Sequence, residues 1–168
     1  MKSGVSIIEV ILVVLLLGLV AALTVPRFSR ASSADVEPDV RVPLSVLRNA
    51  IEMYYFDHGA YPGQNSDGTD PAGSAAAFQS QLTKFTDEAG RVADRRDERH
   101  QFGPYLRAGI PPCLVPPNRG QTGVAMVTTR PGYLPEATTA GWVYNCQTGD
   151  IVMNSDAVDA EDMAYDQY

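Results

Sequence analysis

Gly4-Val5-Ser6-Ile7-Ile8-Glu9-Val10-Ile11-Leu12-Val13-Val14-Leu15-Leu16-Leu17-Gly18-Leu19-Val20-Ala21-Ala22-Leu23-Thr24-Val25-Pro26 is an apolar run with one internal charge. From Val5 to Val25 it holds 21 residues, of which only Ser6, Glu9 and Thr24 are polar. As a helix it rises roughly 30 Å, the thickness of the hydrocarbon layer of a bilayer. A carboxylate inside such a span costs about 2 to 3 kcal/mol on insertion scales, so Glu9 requires a compensating role.

Three readings compete for this run. A cleaved secretory signal has a basic start, a shorter apolar region and a small-x-small cut site. Here only Lys2 precedes the run, the run is too long, and no clean Ala-x-Ala follows it. An ordinary single-pass anchor accounts for the length but leaves Glu9 unexplained. Cleavage after Gly4 accounts for both, because it frees an α-amino group at Val5, four residues before Glu9. On its own helix that amine points away along the axis, so the pairing that offsets both charges joins neighbouring subunits.

Lys2, Gly4, Glu9 and Pro26 resemble the N-terminus of the type IV pilin and type II secretion pseudopilin superfamily. There a short basic leader ends in Gly, the mature chain begins with an apolar residue, Glu stands fifth and a Pro follows the apolar run. Val5 stands where the family usually has Phe. The resemblance implies that a prepilin peptidase cuts after Gly4 and methylates Val5, and that Glu9 and Pro26 serve assembly. It divides the chain into a leader (1–4), a transmembrane and filament-core helix (5–26) and an extracytoplasmic head (27–168). The fold it implies is α+β and pilin-like: a long N-terminal helix packed on a small antiparallel β-sheet with a short extra helix.

Beyond Pro26, Arg27 and Arg30 suit a headgroup layer, and Val36, Val40, Leu44, Leu47, Ile51 and Tyr54 recur at helical spacing. The stripe predicts a spine helix over 27–58, ended by Gly59 with Pro62 just beyond, so that one helix runs from Val5 to about His58. Pro38 and Pro43 predict a kink or break between Ser32 and Pro43. Tyr54, Asp57 and Tyr61-Pro62 resemble the helix end of G-type, or major, pseudopilins, although aromatic residues at a helix end are also ordinary core.

The region 59–168 reads as loop-rich, since most of the 14 glycines and 12 prolines fall there. Ser74 caps a short helix carrying Phe78, Leu82, Phe85 and Ala89, which stops at Gly90. Arg91 to His100 is a mixed-charge loop, Ile110 to Pro117 is extended, and Gly123 to Thr129 is a strand. Gly141 to Cys146 and Ile151 to Asn154 flank a Gly-containing turn and predict a hairpin, with Trp142, Tyr144 and Cys146 facing the Ile51/Tyr54 stripe. The order Gly103-Pro104-Tyr105-Leu106, prolines, then Gly141-Trp142-Val143-Tyr144-Asn145 with Thr148-Gly149-Asp150 is similar to G-like pilin heads.

Cys113 and Cys146 form no CxxC pair, which leaves metal and redox chemistry without support. The extracytoplasmic placement that the resemblance implies predicts a Cys113–Cys146 disulfide, contributing about 3 to 4 kcal/mol in a chain-entropy account; two separate buried thiols are the alternative. Asn65 to Asp70 has the oxygen-rich start of a calcium loop, but no Glu closes it, and a solvated turn is the simpler reading. The acidic tail holds Asp156, Asp159, Glu161, Asp162 and Asp166; G-type pseudopilins bind calcium in their C-terminal loops, against which stands an acidic mobile terminus. No metal ligand set and no cofactor are assigned.

With 13 Lys and Arg against 20 Asp and Glu, the chain carries a formal charge of −7, and no nucleic acid is expected as partner. The sequence lacks Gly-x-Ser-x-Gly, phosphate-loop and HExxH patterns, so no catalytic residues are assigned. The resemblance implies a structural subunit that waits in the bacterial inner membrane and enters a periplasmic or extracellular filament. Its partners would be copies of itself, the prepilin peptidase, an inner-membrane assembly platform, minor pilins or pseudopilins, and the membrane. A surface type IV pilus serving adhesion, motility or DNA uptake, and a membrane-tethered binding protein that never polymerises, are the alternatives.

Overall fold

The computed structural model describes residues 7, 8, 10 to 14, 37 to 159 and 161 to 168. The chain divides into two units, Met1–Glu37 and Pro38–Tyr168. In the first, the described positions 7, 8 and 10 to 14 are all helical. Among the described residues no helix is long and apolar enough to cross a membrane; most of the expected 5–26 span lies outside them.

The second unit is built on helix α1 (Glu37–His58). Its buried stripe is the expected one: Val40, Leu44, Leu47, Ile51 and Tyr54 are each at most 2% exposed, with Ala50 beside them, while Val36 lies outside the described residues. Pro38 occupies the first turn, where its missing N–H would have no helical partner anyway. Pro43 lies inside an unbroken helix, so the expected break does not fall there. Burial of Val40 and Leu44 on either side holds the turn despite one lost hydrogen bond. Gly59 ends α1 in the left-handed region (φ +65°), its N–H bonded to the Tyr55 carbonyl at 2.8 Å.

Helix α2 (Ala75–Thr83) starts as expected, with the Ser74 hydroxyl oxygen accepting from the Ala77 N–H at 3.1 Å. It stops earlier than its apolar spacing predicts. Phe85 enters β1 (Phe85–Thr86), which pairs antiparallel with β2 (Val92–Ala93). Asp87 Oδ1 then accepts from Ala89 and Arg91 N–H groups, turning the chain where a helix would need those donors.

The main sheet has the order β3 (Gly123–Met126), β4 (Ala140–Tyr144), β5 (Ile151–Met153). The β4–β5 hairpin is antiparallel as expected, but β3 joins β4 in parallel. That pairing needs a crossover, supplied by residues 127 to 139. Asn154 ties it down: its side-chain amide donates to the carbonyls of Ala137 (3.0 Å) and Ala140 (2.9 Å) and its Oδ1 accepts from Leu134 N–H (2.8 Å). Every residue of β4 is buried, so both sheet faces are covered. Trp142 and Tyr144 do share a face, but Cys146 lies past the strand end, and the Tyr144 ring meets Phe78 of α2 (centroids 4.4 Å) rather than serving the α1 stripe alone. The hairpin turn holds Gly149 at φ +78°, where a Cβ would come within 2.3 Å of the Tyr61 ring; only glycine fits this approach.

Candidate functional site

The assembly residues named from the sequence, Gly4, Val5, Glu9 and Pro26, lie outside the described residues. Their neighbours do not. Ile7, Ile8, Val10, Ile11, Leu12, Val13 and Val14 are apolar and between 49% and 80% exposed. At about 100° per residue these seven positions point around most of a helix axis, leaving one gap of roughly 100° in the direction of position 9. Nothing within this segment covers any of its faces, whereas a helix stable in water hides one apolar stripe and leaves the opposite face polar.

Helix α1 repeats the theme in a weaker form. Opposite its buried stripe, Val42, Val46, Met53 and Phe56 fall within an arc of about 80°, and all four are exposed, Phe56 to 89%. This second apolar face was not singled out from the sequence. Its signal is there, in apolar residues four, seven and three apart, but the stronger stripe on the other face hides it.

The structure holds Cys113 and Cys146 as free thiols, where the extracytoplasmic placement implied by the resemblance leads to the expectation of a disulfide. Cys113 is fully buried, its thiol facing the Val115 carbonyl at 3.7 Å, and burial pushes its pKa up. The physical reason is position along β4. A Cβ on Gly141 would lie 2.7 Å from Cys113 Cβ, so the proline-rich segment crosses the start of β4. Cys146 lies five residues beyond Gly141, in the turn past the end of β4, so the strand separates it from the Cys113 crossing.

The Asn65–Asp70 loop is organised by Asp67, which is 2% exposed. Its Oδ1 accepts from Thr69 (2.8 Å) and Asp70 (2.6 Å) N–H groups, as in an Asx turn. Its Oδ2 is buried without a hydrogen-bond partner. Among the described residues no three His, Cys, Asp or Glu side chains converge as a metal site would require.

At the end of α1, His58 Nε2 stands 3.0 Å from Thr86 Oγ1 and 3.2 Å from Tyr105 Oη, and the Tyr105 hydroxyl donates to Asp57 Oδ2 at 2.7 Å. His58 stacks on Tyr54 (4.1 Å) and meets the Phe102 edge (5.1 Å). A hydroxyl beside an imidazole is the start of a nucleophile–base pair, but Thr86 is fully buried. The cluster instead fastens α1 to β1. Burial holds the His58 pKa down, opposed by the Glu88 carbonyl and by Asp57 and Asp87.

The described residues thus comprise an exposed apolar helical segment and a small α+β head. Part of the chain is similar to Type II secretion system core protein G of Pseudomonas aeruginosa, with 39% identity over 62 residues, and to the protein of the same name from Aeromonas hydrophila, with 36% identity over 62 residues. Each match covers 36% of this chain and 43% of the relative, so the chain spans less than half the length of the proteins it matches. The G-type resemblance drawn from the sequence is thereby borne out. No family model and no solved structure matches.

Proposed function

We propose that this chain is a structural subunit of a filament of the type II secretion pseudopilus kind. The observation that carries the proposal is the exposed apolar helix at positions 7, 8 and 10 to 14. Such a surface needs lipid before assembly and the helices of other copies after it. The similarity to the two G core proteins favours the secretion filament over a surface pilus.

In this proposal the prepilin peptidase cuts after Gly4 and methylates Val5, and the chain waits in the inner membrane with its head on the far side. An assembly platform then extracts it, together with minor pseudopilins. Glu9 pairs with the Val5 amine of a neighbouring copy and sets axial register, since each charge is costly in an apolar core until the other arrives. Pro26 ends the core segment. Intact-mass measurement on chain purified from its native host tests the processing: the expected mass begins at Val5 and carries one methyl group, and a mass beginning at Met1 removes the filament reading. Glu9→Ala tests the mechanism. The variant should insert into membranes normally yet be lost from filaments, and normal filaments from it would refute the pairing.

A further inference from the structure

The G-type resemblance implies calcium in the acidic tail, and the side chains there do not fit it. Calcium takes six to eight oxygen ligands with free lone pairs. Asp159, 7% exposed, has both oxygens engaged: Oδ1 accepts from the N–H groups of Glu161 (2.8 Å) and Met163 (2.9 Å), and Oδ2 accepts from the Tyr168 hydroxyl. Asp166 Oδ2 accepts from Tyr133 N–H at 3.2 Å. Asp156, Glu161 and Asp162 are exposed. The loop interior therefore presents the positive ends of N–H and O–H dipoles to its buried carboxylate, which is the work a cation would otherwise do.

Tyr168 is itself held from α1. Arg41 Nη2 donates to its hydroxyl oxygen at 3.1 Å and the guanidinium carbon lies 4.7 Å from its ring centroid. Arg48 Nη2 donates to its main-chain oxygen, and its ring stacks on Tyr165 at 5.6 Å. The tyrosine hydroxyl thus accepts from a cation on the helix and donates to the anion of the loop.

We propose that Arg41, Tyr168 and Asp159 form a clasp that closes the acidic tail onto α1 in place of a bound calcium ion, so that the order of the tail does not depend on calcium. The clasp accounts for three features at once: the wrong polarity for a metal around Asp159, the cation over the Tyr168 ring, and the burial of Tyr165 in an otherwise acidic segment.

Amide hydrogen exchange at Glu161, Met163 and Tyr165 in the full-length chain in detergent provides the test. Rates in excess EGTA and in about 1 mM calcium chloride should agree within about twofold, while Tyr168→Ala should raise them about tenfold in both conditions. Tyr168→Phe, which keeps the ring over Arg41 and loses the hydroxyl, should fall between, and it guards against general unfolding in the alanine variant. A tenfold rise on adding EGTA to the unaltered chain would overturn the proposal, as would unchanged protection in Tyr168→Ala.

Discussion

Two helical stretches of this chain carry large apolar residues and stand in opposite relations to their surroundings. At positions 7 to 14 every described side chain is apolar and exposed. In α1 one stripe, from Val40 to Tyr54, is buried to 3% or less, while Arg41, Arg48 and Glu52 line a flank. Secondary structure alone does not distinguish the two; what does is where the apolar surface finds its partner. The partners of α1 lie within the chain, in a head whose core also holds Phe78, Trp142 and Tyr144. The described side chains of the first stretch have no such cover within their own segment.

The sharpest way to break this comparison is a matched pair of truncations. Leu47 is fully buried, and Leu47→Ala should cost the head about 2 to 5 kcal/mol through lost contact and a residual cavity. Ile11→Ala removes the same kind of surface from an exposed position, and should leave head unfolding within about 0.5 kcal/mol. Urea unfolding in detergent, followed by the fluorescence of Trp142, reads both. A large effect of Ile11→Ala on that transition would mean that the two stretches share one core.

A smaller effect tests how firmly the end of α1 is fixed. His58 sits half-buried between Tyr54, Phe102 and Tyr105, and desolvation lowers its pKa below the ordinary 6.5 despite the neighbouring Asp57 and Asp87. A base whose folded-state pKa is lowered takes up its proton first in the unfolded chain. Stability is therefore full above about pH 6.5 and declines as pH falls from there toward the folded value. The urea midpoint should drop between pH 7.5 and pH 5.5, and His58→Gln should flatten that drop. Equal slopes in the two proteins would show that the helix end is open to solvent.

The α1 stripe was legible because helical spacing and burial coincide, and the hairpin because a Gly-containing turn separates two short β runs. Other features rest on contacts distant in sequence. The parallel placement of β3 depends on Asn154 reaching back to Leu134, Ala137 and Ala140, and a single Asn in a strand-flanking position gives no sign of that in the sequence. The early end of α2 depends on Asp87 competing for backbone N–H groups, which apolar spacing does not register. The outward face of α1 was masked by the stronger inward one. Gly4, Val5, Glu9 and Pro26, the most informative residues for function, fall outside the described residues, so the assembly mechanism stands on sequence and chemistry alone.

The smallest expected effect concerns the cysteines, and it sharpens the claim that the head is held together by its own packing. A cross-link over the Cys113–Cys146 loop would contribute about 3 to 4 kcal/mol. The structure instead places Cys113 against the start of β4 and Cys146 beyond its end, with both thiols free. Cys146 is half-buried and lies past the end of β4, so Cys146→Ser should change stability by no more than about 0.5 kcal/mol. The outcome should be the same with and without reductant. Mass spectrometry of the unreduced, alkylated chain from an oxidising compartment should find both cysteines modified. An unmodified pair that becomes alkylated only after reduction, together with a reductant-dependent loss of several kcal/mol, would show that the head closes through a bridge. In that case the segment around Cys113 would have to move along β4 by nearly the length of the strand.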